Sequence, residues 1–188
     1  MGWLGFFAVA SIALLVLLAL AHARANLRLP AASEDLEILQ ATVSTITPKM
    51  LAERRPIVIT DRIAGDPVES LATTVFRWQH MTRTSDRACR MDAFERSRAR
   101  FTLVHYPYDE HADSLSSDGG AVVVKPAGDE AHDGVAVLLS AGRVLVLPPG
   151  WRFLPLVAGA RRARLDDLFT AVASPFLSTF PKSPPSPS

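Results

Sequence analysis

The first feature of the chain is an unbroken apolar run. Residues 3–20 read WLGFFAVASIALLVLLAL without a charge, and the run continues to Ala23 through His22 alone. At the helical rise this length nearly crosses the hydrocarbon of a bilayer, and Trp3 suits one interface, so the pattern predicts a single transmembrane helix whose lipid contact covers residues 3–23. The small residues at 21–25 (AHARA) also fit a cleaved signal peptide. Only Met1 and Gly2 precede the run, so the basic segment of a signal peptide is missing, and an uncleaved anchor is the better reading. Arg24 and Arg28 follow the run, which tilts the positive-inside rule toward a cytoplasmic C-terminal part.

Beyond Pro30 the texture changes to short β-branched segments punctuated by turn residues. Residues 36–46 (LEILQATVSTI) predict one or two strands. Thr47-Pro48 supplies a capping side chain and a proline at the first helical position, which opens a short helix through about Arg54. Pro56 ends it and launches the strand IVIT at 57–60. Asp66-Pro67-Val68-Glu69 is a second helix start, with Glu69 placed for a capping box, and that helix runs to about Phe76. Further strands are predicted at 76–81, 101–106, 121–126, 135–139, 144–147 and 151–157, and turns at 107, 118–120, 127–129, 141–142 and 148–150. Leu165, Leu168, Phe169 and Val172 fall at helical spacing and predict a closing helix.

About eight short strands with few long helical periods argue against a parallel α/β sheet. The fold class expected is mainly β, a small barrel or jelly roll with a few short helices behind one N-terminal transmembrane helix. The divisions expected are an anchor at 1–25, a linker at 26–35, the β domain at 36–175, and a disordered Pro/Ser-rich tail at 176–188 ending PKSPPSPS.

Composition narrows the function classes. The 20 Lys and Arg nearly balance 19 Asp and Glu, for a net charge of +1, which argues against nucleic acid as a partner. A single cysteine, Cys89, excludes an intramolecular disulfide framework and a zinc site of paired cysteines. Cys89 stands between Arg87 and Arg90, a setting that lowers a thiol pKa in principle, yet a surface or half-buried bystander is the simpler reading. The arginine-rich stretch 83–100 offers an interaction face, but a solvated loop or helix with local ion pairs is the simpler reading. Trp78 and Trp151 are expected as core residues rather than the walls of a ligand cavity. Ser114, Ser116 and Ser117 follow His111 closely, but no nucleophile elbow surrounds them.

Two segments carry a resemblance. Residues 142–153, GRVLVLPPGWRF, resemble the second conserved motif of cupins, and more closely the Jumonji-type pattern in which a strand ends in Pro-x-x-Trp. Residues 49–60, KMLAERRPIVIT, resemble the helix and "RPIVI" strand that open such domains. The motif residues are Arg55, Pro56, Gly142, Pro148, Pro149, Gly150 and Trp151. Residues 55–78, together with 164–169 (RLDDLF), further resemble cupin-like proteins of large DNA viruses, which often carry one N-terminal membrane span. The resemblance implies a β-barrel and a role at a viral membrane or in the virion.

The chain departs from the metal-binding pattern. Phe153 stands where metal-binding cupins place a histidine, and Phe offers no lone pair to an iron that needs two His and a carboxylate. The remaining candidate ligands are His105, the His111-Ala112-Asp113 pair in a polar stretch, and His132 beside a turn. A loop holds ligands poorly without supporting groups, so no metal, cofactor or catalytic residue is expected. The function expected is a single-pass, membrane-anchored, non-catalytic cupin-like domain that docks an unidentified protein partner. The alternative is an iron and 2-oxoglutarate dependent oxygenase with a non-standard ligand set drawn from those four residues.

Overall fold

The structure is a computed structural model that describes residues 3–27, 36–75, 82–97, 99–108, 119–129, 131 and 133–166. The N-terminal helix α1 spans Trp3–Leu27, 25 residues, or about 37 Å at the α-helical rise. It continues two residues past the boundary expected for the anchor. Side chains within it are described at Gly5 and at residues 7–21, and residues 7–18 are all exposed. No helix within the described residues is long and apolar enough to cross a membrane.

The rest is mainly β, in two sheets. The first holds β1 (Leu39–Ala41), β2 (Ile57–Ile59), β8 (Val144–Leu147), β5 (Phe101–His105), β10 (Arg161–Asp166) and β3 (Thr82–Ala88), in that spatial order. The second holds β4 (Glu95–Arg96), β9 (Trp151–Pro155), β6 (Gly120–Pro126) and β7 (Val135–Leu139). The pairings are antiparallel except β1 with β2, which is parallel. A parallel pair needs a crossover, and here the crossover carries the helix α2 (Pro48–Ala52). Thr47 caps it, accepting from the Met50 N–H, with Pro48 at its start. The second short helix, α3 (Pro67–Thr74), opens on Asp66, whose carboxylate accepts from the Val68 N–H at 2.9 Å.

Strand periodicity divides the interior into two layers. Ile57, Ile59, Leu103, Val144, Val146 and Leu165 face α2 and α3, packing with Leu51, Val68 and Leu71. Their sequence neighbours Val58, Val104, Leu145 and Leu147 face the second sheet, meeting Val122, Val124, Val137, Trp151 and Phe153. The first sheet is therefore covered on both faces, which is why VLVL and IVI are continuously apolar rather than alternating.

Three expectations need correction or limitation. The arginine-rich stretch is a loop only in part: residues 82–88 form β3 and 95–96 form β4, and 89–94 between them lie in neither strand nor helix. β3 lies at the sheet edge and takes its order from backbone pairing with β10, a signal that apolar periodicity does not carry. Leu165 does not open a helix, because 161–166 is a strand lying between β5 and β3. Ala163 and Leu165 are buried at its alternate positions, and that period of two holds up to Asp166. The remainder of the expected closing helix, the strand at 76–81, most of the linker and the tail at 176–188 lie outside the described residues.

Candidate functional site

The two sequence motifs meet at one corner of the sandwich. Gly142 sits in the turn from β7 to β8 with φ of 81°, a conformation that L side chains rarely adopt. Its N–H donates to the Tyr106 carbonyl at 3.0 Å, and its own carbonyl accepts from the Ile63 N–H at 2.9 Å. β8 then crosses the core, and the buried Pro148-Pro149-Gly150 turn carries the chain to the other sheet. The Gly150 carbonyl accepts from the Ala127 N–H at 2.7 Å. Trp151 begins β9, and its indole Nε1 donates to the Arg54 carbonyl at 3.0 Å, a contact across 97 positions.

Arg54 is the residue that follows the α2 cap and takes a φ of 57°. The next two residues are motif residues as well. Arg55 is ion-paired with Glu37, and buried Pro56 offers its carbonyl to the Leu39 N–H at 2.9 Å. The indole thus ties the connection between α2 and β2 to the start of β9.

Phe153 is two residues further along β9. It is fully buried and lies opposite Glu95 on one side and Val124 on the other, within the apolar layer between the sheets. The position that resembles a metal ligand in sequence is therefore a core position here, with Val122, Val124 and Trp151 in the same cluster.

His105 is also buried, but it shares the alternate face of β5 with Phe101 and Leu103. That face looks toward the helices, so His105 and Phe153 lie on opposite sides of the first sheet. His111, Asp113 and His132 lie outside the described residues, as do Trp78, Ser114, Ser116 and Ser117. Among the described residues no three His, Cys, Asp or Glu side chains come together as a metal-holding group.

The sequence did not single out the polar end of the same interior. Glu95 faces inward from β4 and is ion-paired with Arg162 of β10, so the pair bridges the two sheets. The other Glu95 oxygen accepts from the Arg90 N–H at 2.7 Å. Ser97 and Thr102, both buried, share a 2.8 Å hydroxyl hydrogen bond, and Ser97 Oγ also donates to the Leu147 carbonyl at 3.2 Å. Buried Asp166 accepts from the Arg100 N–H at 2.9 Å and has Arg164 at 3.5 Å. These partners satisfy the carboxylates and hydroxyls at this end of the sandwich. Period-two alternation of arginine with Ala163 and Leu165 was the available signal, and only strand pairing makes it readable.

At the other end, Tyr106 is buried and donates to the Val157 carbonyl at 3.2 Å. Burial pushes its phenol pKa above 10.0, nearby Cys89 adds to the rise, and the hydrogen bond to Val157 opposes it. Cys89 itself is half-buried against the inter-sheet layer, with its N–H on the Ala160 carbonyl at 2.9 Å.

Taken as chemistry, the described interior offers packing, inter-sheet ion pairing and a phenol with a raised pKa. Comparison of the chain with protein-family models and with curated proteins finds no match in either.

Proposed function

We propose that this chain is a single-pass, membrane-anchored, non-catalytic cupin-like protein whose domain serves as a structural or docking element at a viral membrane or in the virion. The observation that carries the non-catalytic part is Phe153. The position that resembles the metal-binding histidine is occupied by a fully buried ring packed between two sheets. The two-sheet arrangement is compatible with a jelly roll of the cupin kind. The resemblance of 49–60 and 142–153 to that family gains support from the indole hydrogen bond that brings them into one corner.

The anchor rests on the uncharged apolar run at 3–20 of the sequence. The mechanism is geometric: the helix holds the domain at the bilayer, and the sandwich presents its outer surfaces to a partner.

Two measurements on the full chain test the reading. In alkaline carbonate extraction the chain is expected to stay with the membrane pellet; release into the supernatant contradicts the anchor. In iron titration of the detergent-purified chain, no stoichiometric binding is expected. Stoichiometric iron that disappears in His111→Ala would favour the oxygenase instead.

A further inference from the structure

We infer that the outer face of the second sheet lies on the lipid surface, so that the domain is held flat against an anionic bilayer as well as tethered to it. This inference rests on the anchor proposed above. Along β6, β7 and β9 the inward positions fill the core, and the outward positions are Ala121, Val123, Ala136, Leu138 and Leu154, with Leu156 just beyond β9. Leu138 is 80% exposed and Leu156 53%. Ala136 is exposed as well, while Ala121, Val123 and Leu154 are half-buried between them, so the exposed apolar surface centres on Leu138 and Leu156.

Three observations select lipid as the occupant. The first is where the tether arrives. The Glu95–Arg162 pair sets β4 against β10, so by strand order β7, at the opposite edge, lies on the side of β2 and β1. Leu36 and Ile38, the first part of the domain after α1, pack against the inter-sheet layer on that side. The second is reach. Residues 28–35 can span at most about 28 Å, so the β1/β7 side cannot withdraw far from the bilayer. The third is charge. The outward positions of this sheet add Arg96, Lys125 and Arg152, with the Lys125 ammonium 4.8 Å from the centre of the Phe94 ring. An apolar surface flanked by cations is the pattern of interfacial binding to anionic lipid.

The test uses the full chain in vesicles of phosphatidylcholine and phosphatidylglycerol, in a Cys89→Ala background. An environment-sensitive fluorophore is placed at Leu138→Cys, and separately at Met91→Cys, an exposed site between β3 and β4 at the far edge. At position 138 the probe is expected to be quenched by doxyl-labelled lipid and shielded from aqueous dithionite, and at position 91 the reverse. Adding Leu156→Asp is expected to restore dithionite access at 138, and so is removing the phosphatidylglycerol in part. Free dithionite access at 138 in a chain that resists carbonate extraction overturns the inference and leaves the anchor standing. A probe shielded from both reagents, with copies that cross-link through 138, shows a second copy on this face and also overturns it. Carbonate release of the chain overturns the anchor and this inference together.

Discussion

Truncating Phe153 separates a packed interior from a ligand cavity. The ring is fully buried, flanked by Glu95 and Val124 on neighbouring strands and by the apolar layer that includes Val122, Trp151 and Leu147. If that layer is filled to ordinary protein density, Phe153→Ala removes the transfer energy of the ring and leaves a void, at a cost of about 3–5 kcal/mol. Phe153→Leu keeps most of the volume and should cost less than about 1.5 kcal/mol. Against a total stability of about 5–15 kcal/mol the alanine variant is severely weakened but still measurable. With a urea slope of about 2 kcal/mol/M, its midpoint should fall by about 2 M. The assay is urea unfolding of the full chain in mild detergent, followed by tryptophan fluorescence, since Trp151 is buried in the same layer. An alanine variant within about 0.5 kcal/mol of the parent refutes the reasoning, because only a side chain bordering an open cavity can be removed so cheaply.

Four further outcomes are expected. Glu95→Ala should cost about 1–3 kcal/mol, because Arg162 loses its partner and the Arg90 N–H its acceptor; a double-mutant cycle with Arg162→Met measures the coupling, and a coupling near zero contradicts an inter-sheet clasp. Asp66→Ala should cost about 1 kcal/mol through loss of the α3 cap, with Asp66→Asn close to neutral, read as a shift in thermal midpoint. Stability should decline as pH rises above about 10, since the Tyr106 phenol ionises readily only in the unfolded chain, where its pKa is ordinary. The contribution is fully present below that pH and is lost as the folded pKa is crossed, so Tyr106→Phe should flatten the alkaline limb of a midpoint-versus-pH plot; an unchanged limb rejects the assignment. Gly119→Ala should be strongly destabilising, because a Cβ there would lie 2.1 Å from the Leu139 carbonyl oxygen at a φ of 75°; an unchanged thermal midpoint would count against that turn.

The caps show how far local chemistry reaches. Thr47-Pro48 and Asp66-Pro67 each name a helix start in sequence, and α2 and α3 begin there because the side chain and the proline act within one turn. The runs at 57–59, 101–105 and 144–147 were legible as strands for a related reason: β-branched and aliphatic residues in short runs between turns have few alternatives. β3 and β10 were not legible. Their residues are largely polar, and their order comes from pairing with each other and with β5, partners distant in sequence. The parallel β1–β2 pair likewise depends on a crossover that local pattern does not specify.

The candidate site divides along the same line. That Phe153 has no ligand atom follows from its identity alone, as do the lone cysteine, the near-neutral charge and the apolar run at 3–20. Which side of a sheet each residue occupies was decided by strand register. Register sends His105 toward the helices and Phe153 into the layer between the sheets, and it turns Glu95 inward to meet Arg162. It also leaves Leu138 outward while its neighbours Val137 and Leu139 are buried. Side-chain identity is a property of one position. A coordination site, an inter-sheet clasp or an exposed apolar face depends on several positions that only the folded backbone brings to one side.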